Sequence, residues 1–227
     1  MAAYFTAPAL CQGADEDVII EIASIVFPGF VDRTENVNGL HLTVEGDYRD
    51  RSLAGIATAC FQILLGILRA WRYDAGQRAD ETRPGIGAGP IRDDDGNQIV
   101  TPVPVISYPL VGSEVKDYAR KAKIALENSE YLRKALWLNG QRDRTAAEFY
   151  MIYEYAEKEF AGLEGIAENL GVSKNSIKSL RNSANNVAPM EGGRHVSENH
   201  PAKWNVDAQK KFIATFLKKW IEDRARC

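Results

Sequence analysis

Apolar side chains recur at steps of three and four residues throughout the second half of this chain, from Ser113 to the C-terminus. The repeat is clearest in the last segment, where Asn205 can cap a helix. The apolar face of that helix would hold Phe212, Ile213, Phe216, Leu217, Trp220 and Ile221. Because such a stripe is typical of a helix packed on a core, we expect a bundle of amphipathic helices from about Gly112 onward.

Two more helices are predicted between residues 113 and 160. Ser113 can cap the first, which should end near Asn139 and Gly140, a favoured left-handed helix end. Its apolar positions are Val115, Tyr118, Ala122, Leu126 and Leu136. Asp143 can cap the second, whose apolar positions are Phe149, Ile152, Tyr153, Ala156 and Phe160. Both have the one-sided pattern that is expected of bundle helices.

The first 111 residues have a different pattern. Val18 to Val26 and Leu40 to Tyr48 are short, rich in β-branched residues and bounded by Gly, Pro or Asn, which is typical of strands. The stretch from Ala75 to Asn97 is rich in glycine and aspartate, and we interpret it as a loop with a turn at Asp95-Gly96. The sequence therefore predicts an α+β chain: a mixed α/β part at residues 1–111, with a loop near 75–98, and a helical domain at residues 112–227.

One segment of the N-terminal part has two interpretations. Leu53 to Leu68 carries no charge and is flanked by Arg51 and Arg69, so it could be a membrane-spanning helix or a helix buried in a protein core. It is shorter than the roughly 20 residues that span a bilayer, and it contains Gln62 and several small residues. We therefore predict a buried helix and no membrane association.

Composition narrows the functional classes. The formal net charge of −3 gives no chain-wide attraction to phosphate polymers, so any nucleic-acid contact must use a local basic surface. The three cysteines, Cys11, Cys60 and Cys227, are far apart and predict neither a disulfide framework nor a zinc site. We predict no metal and no cofactor. Because the first residues lack the pattern of a secretory signal, we expect a cytoplasmic protein.

The segment from Leu163 to Leu180 resembles a helix-turn-helix. Apolar residues on both sides of Gly171 can return to one core, and Gly171 suits the turn. A second helix used for recognition would present polar side chains to phosphates and base edges, namely Lys174, Asn175, Lys178, Arg181 and Asn182. The alternative is a purely structural pair of helices, because any tight turn between helices needs a glycine and apolar anchors at about these places.

A second candidate segment lies between this pair and the last helix, in the sequence GGRHVSENHP from Gly192 to Pro201. Arg194, His195 and His200 lie in a loop, where packing is the weakest explanation for such residues. With Arg194 followed by a polar residue and His200 after five intervening residues, residues 113–226 resemble the HEPN superfamily of small helical domains. Many of these domains belong to prokaryotic defence or toxin systems. The alternative is that Arg194 and His195 cap a helix or pair with Glu191 or Glu198.

The HEPN resemblance implies a metal-independent ribonuclease. A His near the 2′-hydroxyl of RNA can remove or return its proton, while an Arg stabilises the charge on the phosphorus oxygens. The resemblance also implies a homodimer in which two such loops meet. The sequence thus predicts a HEPN-like protein that handles RNA or DNA, either as a ribonuclease or as a degenerate non-catalytic relative. The alternatives are a helix-turn-helix DNA-binding regulator and a non-catalytic interaction module, so the sequence leaves open whether the protein is an enzyme.

Overall fold

A computed structural model describes residues 2–7, 14–28, 40–45, 51–73, 112–141, 144–186 and 204–226 of the chain. These ranges contain eight helices: α1 (Ala14–Val26), α2 (Arg51–Trp71), α3 (Ser113–Asn128), α4 (Glu130–Asn139), α5 (Ala146–Glu159), α6 (Leu163–Leu170), α7 (Lys174–Asn186) and α8 (Val206–Arg224). A six-residue antiparallel ladder joins β1 (Ala2–Ala7) to β2 (Leu40–Glu45), with Ala2 opposite Glu45.

The predicted α+β class is wrong, because the core of the described part of the chain is all-α. Every buried core residue in the described ranges comes from a helix or from a residue that caps one. The predicted strand from Val18 to Val26 is part of α1, in which Ile19, Ile22, Ala23 and Val26 are buried. Their spacing of three, four and seven residues is helical, and it outweighs the β-branched composition that favoured a strand. The described β structure amounts to the single ladder between β1 and β2.

The prediction of a buried helix at Leu53 to Leu68 is confirmed by α2. All eight residues from Ile63 to Ala70 are buried, so this part of α2 is covered around its circumference. Contact with α4 is close: a methyl group added at Gly66 would lie 1.9 Å from the carbonyl oxygen of Leu136. Among the described residues, no helix is both long and apolar enough to cross a bilayer.

The single helix predicted from Ser113 to Asn139 is two helices, α3 and α4, that are separated at Ser129. Ser129 has extended backbone angles, φ −143° and ψ 112°, and its hydroxyl accepts a hydrogen bond of 2.9 Å from the Leu132 N–H. The same hydroxyl donates to a Glu159 carboxylate oxygen over 3.0 Å. Ser129 is therefore the helix cap of α4, and both hydrogen bonds of its buried hydroxyl are made. The apolar periodicity on either side of Ser129 did not indicate this break.

The other predicted caps have mixed outcomes. Asn205 caps α8 as predicted, since its side chain accepts a hydrogen bond of 2.8 Å from the Ala208 N–H. Gly112, and not Ser113, occupies the cap position of α3. Thr145 forms a capping box with Glu148 at the start of α5. Asp143, the predicted cap of that helix, lies outside the described residues.

Helix packing places α7 at one side of the bundle. α1 packs on α3, and both α2 and α3 pack on α8. α2 also packs on α4, and α4 packs on α5. α7 packs on α5, while α6 packs on α5, α7 and α8. One hydrophobic cluster runs from Ile19 in α1 to Ile221 in α8. The division between residues 1–111 and 112–227 stays a prediction, and α1 and α2 share this cluster with α3–α8.

Candidate nucleic-acid surface on α7

α6 and α7 are joined by a tight turn of three residues, 171–173. Ile166 and Leu170 of α6 and Ile177 and Leu180 of α7 are all buried in the common core. Gly171 has left-handed backbone angles, φ 56° and ψ 39°, which glycine adopts at the least cost. These positions are the ones expected both of a helix-turn-helix and of a purely structural pair of helices, so the resemblance stays a prediction.

Lys219 ties this turn to α8. Its ammonium group donates a hydrogen bond of 2.8 Å to the carbonyl oxygen of Gly171, the residue that ends α6. A cation at the carboxyl end of a helix also interacts favourably with the helix dipole. This contact was not predicted from the sequence, because Lys219 and Gly171 are 48 residues apart in the chain.

Four of the five residues predicted to contact nucleic acid are exposed on α7: Lys174, Asn175, Lys178 and Asn182. Residues 174, 178 and 182 are spaced by four, so they lie along one side of the helix. Ile177, Leu180 and Ser183 form the buried side. The arrangement leaves a row of hydrogen-bond donors facing solvent, with two ammonium groups one helical turn apart.

Arg181, the fifth predicted residue, is half-buried and contacts α5. Its guanidinium carbon lies 5.3 Å from the centroid of the Tyr153 ring, in a cation–π contact. The Tyr153 hydroxyl donates a hydrogen bond of 2.6 Å to Glu157. Burial, followed by this hydrogen bond, raises the pKa of Tyr153, so the phenol keeps its proton. Arg181 thus holds α7 against α5 while the other four residues face solvent.

Acidic side chains lie next to this basic row. Lys174 forms an ion pair with Glu164 of α6, and Glu168 is exposed one turn further along the same helix. Residues 163–186 together carry three cationic and two acidic side chains. The positive potential of α7 is therefore local and moderate, in keeping with a chain whose formal net charge is −3.

Arg194, His195 and His200 lie outside the described residues, in segment 187–203. Described residues before and after this segment, Ser183 and Trp204, are hydrogen-bonded to each other. The Trp204 N–H donates a hydrogen bond of 2.8 Å to the hydroxyl of Ser183, which is fully buried on α7. Gln209 of α8 donates to the Trp204 carbonyl oxygen over 3.2 Å. The chain therefore leaves α7 and rejoins the bundle beside the same helix.

Two further features bear on the predicted classes of function. Within the described ranges, no group of His, Cys, Asp and Glu side chains could hold a metal ion. The exposed large apolar residues in those ranges are Ile56, Ile124, Trp137 and Met151, which come from four different helices.

No family model, curated protein or solved structure matches this chain. The HEPN and helix-turn-helix resemblances stay predictions that rest on the residues named above.

Proposed function

We propose that this protein binds nucleic acid through the exposed row on α7, formed by Lys174, Asn175, Lys178 and Asn182, and that its substrate is RNA. The observation that carries the proposal is the separation of the two sides of α7: donors face solvent, while Ile177 and Leu180 are in the core. Ammonium groups neutralise phosphates, and asparagine amides can hydrogen-bond to phosphate, sugar or base edges.

The proposed catalytic group is Arg194 with His200, and His195 has a secondary role. The assignment rests on the spacing of Arg194 and His200 in the sequence, and the hydrogen bond between Ser183 and Trp204 shows that the described residues before and after segment 187–203 meet beside α7. In the reaction, the 2′-oxygen of RNA attacks the adjacent phosphorus and the bond to the 5′-oxygen of the next nucleotide breaks. His200 would transfer the proton between these oxygens, and Arg194 would stabilise the charge on the phosphorus oxygens. Following the HEPN resemblance, we propose a homodimer as the active form, in a prokaryotic stress or defence setting.

The test is cleavage of a mixed-sequence RNA by the full chain in EDTA, with His200→Ala as the variant. We expect the wild type to cleave and the variant to lose about 100-fold or more in rate, since general acid–base catalysis typically contributes that much. His41→Ala is the matched control, because His41 lies on β2 and should leave the rate unchanged. Equal cleavage by wild type and His200→Ala would contradict the role of His200. Loss of activity in EDTA would contradict the metal-free reaction.

A helix-turn-helix DNA-binding regulator is the second candidate. The observation that favours it is that the exposed donors lie on the second of two helices joined by a tight turn at Gly171. In that case α7 would lie in the major groove and Asn175 and Lys178 would contact base edges. The two candidates differ in ligand: the first requires tighter binding to single-stranded RNA, and the second requires tighter, sequence-dependent binding to duplex DNA.

A further inference from the structure

The ion pair between Lys174 and Glu164 bridges the turn of the proposed nucleic-acid surface. Lys174 is the first residue of α7, and Glu164 lies in the first turn of α6. Both side chains are accessible to solvent, with 49% of Lys174 and 74% of Glu164 exposed. Lys178, one turn further along α7, has no carboxylate partner in the described part of the chain. The two lysines of the row therefore differ in how available their charges are.

The pair is not needed to hold α6 and α7 together. Exposed ion pairs contribute little to stability, because water screens the charges and two long side chains lose freedom. The four buried residues Ile166, Leu170, Ile177 and Leu180, and the hydrogen bond from Lys219 to Gly171, already fix the turn. Loss of the Glu164 charge should therefore change ligand binding by Lys174 more than it changes the stability of the fold.

We propose that Glu164 competes with nucleic-acid phosphates for Lys174 and so restrains the affinity of the α7 surface, an inference that rests on the proposed function. A carboxylate and a phosphate oxygen use the same ammonium donors, so a bound phosphate must displace Glu164. The carboxylate then remains close to the phosphate and repels it. Glu164 lowers binding that depends on charge alone, and it leaves contacts through Asn175, Lys178 and Asn182 unaffected. Its effect is to favour ligands that bind through Asn175, Lys178 and Asn182 over ligands that are held by charge at Lys174.

Glu164→Gln tests this proposal, because glutamine keeps the size of the side chain and removes its charge. The measurement is the affinity of the full chain for mixed-sequence single-stranded RNA over a range of salt concentrations. We expect the dissociation constant to fall by about threefold to tenfold at low salt, since one lysine becomes available. The slope of log affinity against log salt should steepen by about 0.7, the value for one additional phosphate contact on a single strand.

Glu130→Gln on α4 is the matched control. Glu130 pairs with Lys134 at 2.7 Å, and the two side chains are 74% and 46% exposed, much as in the pair of Glu164 and Lys174. Glu130→Gln therefore changes the net charge by the same amount as Glu164→Gln and also breaks an exposed ion pair. We expect this control to leave the RNA affinity unchanged. In the double variant Glu164→Gln/Lys174→Ala the gain in RNA affinity should disappear, because the Glu164→Gln substitution raises the affinity through Lys174. Unchanged melting temperatures would show that the fold is retained.

The outcomes separate this inference from the proposed function. If Lys178→Ala weakens RNA binding and Glu164→Gln does not tighten it, the competition is overturned while the α7 surface stands. Equal tightening by Glu164→Gln and Glu130→Gln would reduce the effect to net charge and also overturn it. If Lys178→Ala leaves RNA binding unchanged, the proposed function itself fails, and this inference fails with it.

Discussion

Trp220 shows how one residue links the last helix to the rest of the core. It is fully buried on α8, with its ring centroid 5.5 Å from that of Phe160 and 6.1 Å from that of Phe216. We expect Trp220→Ala to lower the free energy of unfolding by about 3 to 5 kcal/mol, the usual cost of truncating a buried aromatic residue. Chemical denaturation measures this change. Trp137→Ala is the control: Trp137 is 40% exposed on α4, so we expect a much smaller loss.

A second substitution, Trp220→Phe, distinguishes the effect of lost side-chain volume from the effect of losing the indole N–H donor. The Trp220 indole N–H is buried and has no hydrogen-bond acceptor in the described ranges. Trp220→Phe removes this donor and keeps most of the ring, so we expect it to cost clearly less than Trp220→Ala. A midpoint unchanged by Trp220→Ala would contradict the packing of α8 altogether.

Single residues were predictable from the sequence where their partners are close in the chain. The cap at Asn205 depends on a bond to Ala208, and Trp220 belongs to a stripe within one helix. The contact of Arg181 with Tyr153 was not predicted, because Tyr153 lies on another helix, 28 positions earlier; the assignment of Arg181 to nucleic acid stays a prediction. A cation with an aromatic ring in reach can pack against it, and the sequence alone does not show that ring.

At the scale of elements, the contact between α2 and α4 depends on glycine. A methyl group at Gly66 would lie 1.9 Å from the Leu136 carbonyl oxygen, so Gly66→Ala must push the two helices apart. We expect a loss of about 1 to 3 kcal/mol in the free energy of unfolding, as is typical of overpacked cores. Thermal or chemical denaturation measures it.

Gly55→Ala provides a control in the same helix. A methyl group there has no atom within 4 Å in the described structure, so only helix propensity changes. Alanine is favoured over glycine in a helix by about 1 kcal/mol or slightly less, so we expect a small gain in stability. If both substitutions stabilise the protein, α2 and α4 are not in the close contact described.

Element types were predictable where the apolar period was long, and not where two signals conflicted. α5 and α8 have regular stripes and were predicted as helices, α8 with the correct cap at Asn205. α1 is rich in isoleucine and valine, so residue type suggested a strand although its spacing is helical. α3 and α4 are separated at Ser129, which caps α4 through the Leu132 N–H and also donates a hydrogen bond to Glu159, 30 residues away. Such a tertiary contact leaves no local pattern.

For the whole molecule, the sequence indicated the helical bundle but not which helices share its core. α2 packs on α4 and α8, so a helix from the predicted N-terminal part lies against the predicted C-terminal domain. The charge of the whole chain gives no attraction to nucleic acid, and the candidate surface is the short row on α7. Arg194, His195 and His200 were singled out on sequence grounds and stay predictions, since they lie outside the described residues.

The most direct test of the α7 surface is the salt dependence of RNA binding by wild type and Lys178→Ala, with Lys134→Ala of α4 as the control for loss of one exposed lysine. Fluorescence anisotropy with a labelled mixed-sequence single-stranded RNA gives both affinity and slope. We expect Lys178→Ala to bind more weakly and to flatten the slope of log affinity against log salt by about 0.7, because one phosphate contact is lost. Wild type and Lys134→Ala should have the same RNA affinity and the same slope of log affinity against log salt. Equal affinity and slope for wild type and Lys178→Ala would contradict the assignment of the nucleic-acid surface to α7.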